Sequence, residues 1–404
     1  MFDKDFYSAT RMQGMEVAQT MRMHARSQEL IANGRSVISL SIGEPDFDTP
    51  RHIREAAIVA MERGETRYTA PDGTSALKKA VIAKYERDYG LRFTPNQVHI
   101  GAGAKQVIFN ALMASVNYGD EIIVPLPTFV SYLPQIKLVG GVPICVPCIL
   151  EDGLKLTAGN LEDAITDKTR YLLLNSPGNP SGAVYLEGEL RALADVLLKY
   201  PKVMILTDEV YELLVFDGLT HVPMMVVAPE LADRIITVNS VSKTYCMTGW
   251  RIGYAVGPEP LIKAMAQFES HSAGNPNSIA QAAATAALLG QQEMLEPMKQ
   301  TFQHRRDLVV RELGAIEGLR VSPVEGAFYT FPSMEHYLGC RTHSEVLIET
   351  DSAFCNYALE DFGVAVVPGS SFYMATHFRL SYALSKDILL EGCKRLSSAF
   401  RSLH

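Results

Sequence analysis

The stretch "SVSKTYCMTGWRIGY", residues 240–254, sets Lys243 between two hydroxyl side chains and Arg251 beside the single tryptophan, Trp250. A lysine amine that sheds its proton is both a nucleophile and a base, and a guanidinium fork suits phosphate or carboxylate oxygens. Comparable residues recur at comparable places. "QVHI" runs into "GAGAKQ", "RYLLLN" into "SPGNPSG", "KVMILT" into "DEVY" and "RIITVNS" into "VSK". Each begins as a short apolar run of the kind that forms a buried strand. Ligands of open α/β sheets bind beyond the carboxyl ends of the strands, so one crevice could collect all four endings.

Taken singly, each ending has a plainer reading. Gly101 and Gly103 precede a helix-like stretch whose free N–H groups favour an anion, yet they also suit an ordinary strand-to-helix turn. Asp208 is either a carboxylate aimed at the crevice or a solvated acid at the rim of the sheet. Asn179 is a site residue or part of a turn. Ser240, Ser242 and Arg251 would be unexceptional at a surface. Arg379, in "HFRLSYA", sits mid-strand with His377 and Ser381 on the same face by alternation. A buried arginine needs an anionic partner, from within the chain or from a ligand.

The elements that must position these residues alternate in type. "EIIVP", "VPICVP" and "IGYAVG" add further apolar runs, and segments such as "KQVIFNALMASV" and "ELRALADVLLKY" carry apolar residues at helical spacing. Apolar runs without polar alternation predict strands buried on both faces. The fold class is therefore α/β, with a mostly parallel central sheet covered by helices, over residues 46–290. Residues 291–404 change texture, with a long helical stretch, short strands and a closing helix, and predict a smaller α+β domain that also takes in residues 1–45.

Composition narrows the partners. With 404 residues, 47% apolar and 20% charged, the chain has the balance of a soluble two-domain protein. A net charge of −8 gives no basic face for nucleic acid, and no uncharged run is long enough to span a bilayer. The polar amino terminus lacks the apolar core of a secretory signal. Cys145 and Cys148, in "CVPC", have neither a second pair nor a helix start and read as buried strand thiols, with no metal site. A reducing cytoplasm fits.

Together the endings resemble one design. "SVSK" followed by "GWRIGY" is similar to the cofactor-lysine segment of the class I/II pyridoxal-phosphate aminotransferases, of fold type I. "GEPDFDTP", "RYTAPDGTSALKKA", "GAGAKQ", "PTFVSY", "NSPGNPSG", "DEVY" and "FRLSYA" extend the resemblance, in the family's order, over nearly the whole chain. The resemblance implies pyridoxal 5'-phosphate as cofactor, with Lys243 as the Schiff-base lysine and Asp208 on the pyridine nitrogen. It puts Tyr211 and Asn179 on the phenolic oxygen and Phe129 against the ring. The phosphate would rest on Gly103, Ala104 and Lys105, held by Ser240, Ser242 and Arg251. Tyr68 would reach it from a neighbouring subunit, which implies a homodimer. Arg379 and the backbone of Gly43 would meet the substrate's α-carboxylate, and Trp250 would be a packing residue.

Lys105 and Arg11 resemble residues of a subgroup acting on aspartate and in some members prephenate, where both cations face a distal carboxylate. A lysine in the first turn of a helix opposes the helix dipole unless an anion is near, though the phosphate could be that anion. The expected reaction moves an amino group from an acidic amino acid to a 2-oxo acid. Neutral or aromatic donors remain alternatives, as do C–S lyase or decarboxylase chemistry on the same fold.

Overall fold

The structure, a computed structural model, describes residues 7–12, 15 and 19–404. Its strands in chain order are β1 (Ile38–Ser39), β2 (Val98–Gly101), β3 (Glu121–Leu126), β4 (Val142–Pro147), β5 (Thr169–Asn175), β6 (Met204–Asp208), β7 (Ile235–Ser240), β8 (Gly253–Val256), β9 (Tyr329–Thr330), β10 (Val364–Ala365), β11 (Val367–Pro368) and β12 (Phe378–Ser381). β2 to β8 form one sheet in the order β2-β8-β7-β6-β5-β3-β4. Within it β8 alone runs against its neighbours, and the other adjacent pairs are parallel.

Period-two alternation divides the strand side chains between two apolar layers. Leu172 and Leu174 of β5 and Ile205 of β6 face one, with the helices Arg51–Glu62, Ser75–Tyr89, Glu187–Leu198 and Ser278–Leu289. Tyr171 and Leu173 of β5 and Leu206 of β6 face the other, with Ala104–Ser115, Tyr132–Leu138 and Glu259–His271. Both faces of the central strands are thus covered, as their unbroken apolar runs require. Truncating a fully buried leucine such as Leu172 to alanine would cost about 2–5 kcal/mol.

β4 departs from the sequence expectation. It is one of the two outer strands of the sheet, and Cys145 on it is exposed, while Cys148 just beyond is buried. A strand with one neighbour cannot bury both faces as a central strand does, and its apolar run gave no sign of that position. A second apolar core joins residues from Met298 to Phe400 with Met23, Leu30 and Leu40, and includes Tyr211 and Tyr329 beside the large sheet. β1 pairs in parallel with β10, and β12 lies between β11 and β9. No described helix is long and apolar enough to cross a membrane, and no metal-ligating cluster occurs among the described residues.

Candidate active site

Register puts the chemical residues side by side. Asn175 at the end of β5 lies opposite Asp208 at the end of β6. Ser240, closing β7, lies opposite Gly253, which in turn faces Gly101. Beyond these ends opens a cavity of about 460 Å³. Its wall includes Gly43, Ala104, Lys105, Phe129, Asn179, Asp208, Tyr211, Ser240, Ser242, Lys243, Arg251 and Arg379.

Lys243 stands in the helical turn Val241–Thr244 that leaves β7, and its Nζ donates to the carbonyl of Gly43 over 2.5 Å. Burial lowers its proton affinity to a pKa of about 8, with Arg379 and Arg251 acting in the same direction against Glu44 and Asp208. A minority of the amine, roughly a tenth to a fifth, is therefore neutral near physiological pH, far more than for an exposed lysine, and the neutral form is the one that attacks a carbonyl.

Asp208 is buried, and burial raises its pKa to about 6 although the Tyr132 hydroxyl and the Val210 amide both donate to it. Tyr211 shares a 2.9 Å hydrogen bond with the hydroxyl of Tyr329. Asn179 accepts from Arg379 Nη1 at 3.1 Å, and Arg379 Nη2 donates to the Ser41 carbonyl at 2.7 Å. Arg379 Nε has no partner, and its guanidinium lies 4.4 Å from the centre of the Tyr329 ring.

The glycines shape a cradle. Gly103 caps the helix Ala104–Ser115 with φ +90°, and a Cβ there would collide with the Arg251 guanidinium. One on Gly253 would strike the Gly103–Ala104 backbone. Arg251, itself left-handed at φ +56°, anchors to the carbonyls of Thr248 and Ala102. The Ser240 hydroxyl donates to Ile252 O at 2.8 Å, lies 2.7 Å from the Ser242 hydroxyl and accepts from the Ser242 amide. Lys105 Nζ lies 5.2 Å from the centre of the Phe129 ring, and burial followed by Arg251 lowers its proton affinity. Among the described residues, no carboxylate lies within ion-pair distance of Lys105, Lys243, Arg251 or Arg379.

Four cations without acidic partners, a glycine-made cradle at a helix N-terminus, and one buried acid fit a phosphorylated pyridine aldehyde together with a carboxylate substrate. The phosphate would take Arg251 and the cradle, the ring nitrogen Asp208, the aldehyde Lys243 and the carboxylate Arg379.

Two of the expected residues stand apart. Tyr68 is 97% exposed and absent from the cavity wall. Arg11 is exposed in the turn Thr10–Met12, which packs against the helix Tyr132–Leu138, and it does not reach the cavity beside Lys105. Trp250 packs on the large core and donates to Thr49 Oγ1. Sequence reasoning missed Tyr132 and Tyr329. Tyr132 closes the quoted "PTFVSY" and Tyr329 lies in "GAFYTF", but as aromatics they read as core, and only packing shows where their hydroxyls point.

Comparisons with known proteins identify the family. The profile of the family "Aminotransferase class I and II" matches residues 35–396. An aspartate aminotransferase of Rhizobium meliloti (strain 1021) is 48% identical over 394 residues, covering 98% of this chain and 96% of its own. An aspartate/prephenate aminotransferase of Cereibacter sphaeroides is 47% identical over 381 residues, covering 94% and 95%. The crystal structure of an aspartate aminotransferase from Rhizobium meliloti superposes with a TM-score of 0.95 at 47% identity, over 99% of this chain and all of that one. One from Thermus thermophilus with maleate gives 0.90 at 37%, over 97% and 99%. The fold that carries this cavity is thus shared with known aminotransferases, and the chain belongs to the class I and II aminotransferases, enzymes that use pyridoxal phosphate.

Proposed function

We propose that this aminotransferase takes its amino group from aspartate and passes it to a 2-oxo acid such as 2-oxoglutarate. The observation that carries the choice of donor is Lys105, a cavity-wall cation without a carboxylate partner and separate from the buried Arg379. Two cations in one cavity match the two carboxylates of a dicarboxylic substrate. Relatives named for aspartate, and a solved relative described with maleate, a dicarboxylate, support the same reading.

Bound in the cavity, pyridoxal phosphate supplies an electron sink for the pair left on the substrate's α-carbon. The chain's own groups do the rest. Arg379 holds the α-carboxylate and fixes the orientation of the α-carbon. Lys243 takes the α-proton and returns one on the other side of the reaction, which its lowered proton affinity allows. Asp208 stabilises a proton on the ring nitrogen, and Tyr211 and Asn179 face the phenolic oxygen. The amino group is left on the enzyme after the first half-reaction, so the kinetics are ping-pong.

The reading includes a division into residues 46–290 and residues 1–45 with 291–404 as two domains closing on the substrate. It also includes a homodimer, in which the exposed Tyr68 serves the neighbouring subunit's phosphate. Six free cysteines support a reducing cytoplasm. Replacing Lys105 with alanine tests the choice of donor. A distal carboxylate gains about 1.5–3 kcal/mol per charge-assisted hydrogen bond, so kcat/KM for aspartate should fall roughly 10-fold or more while that for alanine changes little. Equal losses on both donors would confine Lys105 to the phosphate turn.

A further inference from the structure

Behind the turn that carries Asp208 and Tyr211 lies a buried charge cluster that does not reach the cavity. Asp208 and Tyr211 are on the cavity wall, whereas Glu209 and Glu212, in the same turn, are not. Glu212 Oε2 accepts from Lys84 Nζ at 2.6 Å and from the Tyr89 hydroxyl at 2.7 Å. The side chains of Lys84 and Glu212 are 1% and 3% exposed. The ammonium sits 4.4 Å and 4.6 Å from the ring centres of Tyr85 and Tyr89, with Asp88 3.7 Å away. Glu209 in turn meets His221 Nε2 at 3.1 Å. Backbone hydrogen bonds from Glu209 to Val238 and from Glu212 to Glu209 tie the turn to β7.

Burying two ions costs several kcal/mol each, and a packed apolar pair of the same volume is often at least as stable. Stability alone gives no reason for a lysine from the helix Ser75–Tyr89 to reach this one carboxylate. Fixing position does, because a hydrogen-bonded ion pair tolerates little displacement. We propose that Lys84 is a positioning residue: acting through Glu212, it holds the turn 208–212 in the one placement that presents Asp208 and Tyr211 to the cofactor. The proposal rests on the reading of Asp208 and Tyr211 as cofactor contacts.

The test uses the full-length protein with and without pyridoxal phosphate, in Lys84→Met, Lys84→Arg, Tyr89→Phe and the double variant Lys84→Met with Glu212→Gln. Lys84→Met should weaken cofactor affinity at least 10-fold and lower kcat by a similar factor, with KM for the amino donor within 2-fold. Lys84→Arg should restore both to within 3-fold. The double variant, free of an unpaired buried charge, should regain the melting temperature but not the cofactor affinity. Tyr89→Phe, which removes one hydroxyl, should show a smaller loss of 2- to 4-fold. Cofactor affinity and kcat within 2-fold of wild type in the double variant and in Tyr89→Phe would overturn the proposal, as would losses that simply follow melting temperature across the set. Asp208→Asn separates the two levels of the argument. Loss of affinity there, with none in the Lys84 variants, sinks the positioning role alone; no loss in Asp208→Asn sinks the assignment beneath it.

Discussion

The Tyr132 hydroxyl donates to Oδ2 of Asp208 over 2.6 Å, and both groups are buried at the wall of the cavity. The bond favours the ionised carboxylate, but burial outweighs it and leaves the pKa at about 6. A cation placed against Asp208, as a protonated ring nitrogen would be, relieves that strain.

A pH dependence follows for the cofactor-free protein. The folded state holds the Asp208 proton up to about pH 6, whereas the unfolded chain releases it near 3.8. Stability from this group is therefore present below the lower value and lost as pH rises to the higher, by roughly 3 kcal/mol. Asp208→Asn, which cannot ionise, should gain on wild type by about that amount between pH 4 and pH 7 in denaturant titrations. With cofactor bound, the order should reverse, and kcat of the variant should be sharply reduced. A pH-independent difference in the cofactor-free proteins would show that Asp208 is not held near neutrality.

Lys243 should be the residue to which the cofactor becomes attached. Borohydride reduction and peptide mapping should place the label there, and Lys243→Ala should bind pyridoxal phosphate yet lose transamination by several orders of magnitude. Its lowered proton affinity makes attachment to the cofactor-free protein speed up with pH through about 8 and level off above. A midpoint near that of a free lysine would remove the role given to burial.

Arg379 should bind the carboxylate common to every substrate. Leaving a buried charge without its partner costs about 3–5 kcal/mol, so Arg379→Ala should reduce kcat/KM by roughly two to four orders of magnitude for amino acids and oxo acids alike. Arg379→Lys should recover only part, since an ammonium cannot replace the fork. Losses confined to dicarboxylates would move Arg379 to the distal end of the cavity.

Arg11 should act only when substrate draws the amino-terminal arm inward, since its turn packs on the helix that begins with Tyr132. Arg11→Ala should then raise KM for aspartate and leave cofactor affinity unchanged. Unaltered KM would confine Arg11 to the surface where it stands.

Much of this site was legible before the structure because backbone geometry placed it. Asn175, Asp208 and Ser240 end consecutive parallel strands, so their adjacency follows from strand order alone. Glycines at 103 and 253 are likewise written in the sequence, though the contact they permit with Arg251 and Ala104 is not. Side-chain direction was harder. Tyr132 and Tyr329 are aromatic residues in apolar company, and their hydroxyl contacts depend on how a helix and the second core meet the sheet. Lys84 carries no local signal of its role, because its partner Glu212 lies 128 positions away. β4 read as a central strand because an edge has no local signature.

The most direct measurement of the central claim is a panel of amino donors with the wild-type enzyme, assayed against 2-oxoglutarate and again without any acceptor. Two cations for two carboxylates predict that kcat/KM for aspartate exceeds that for alanine and phenylalanine by roughly 10-fold or more, with turnover stopping after one half-reaction when the acceptor is omitted. A neutral donor that matches or surpasses aspartate, or sustained turnover without acceptor, would contradict the account.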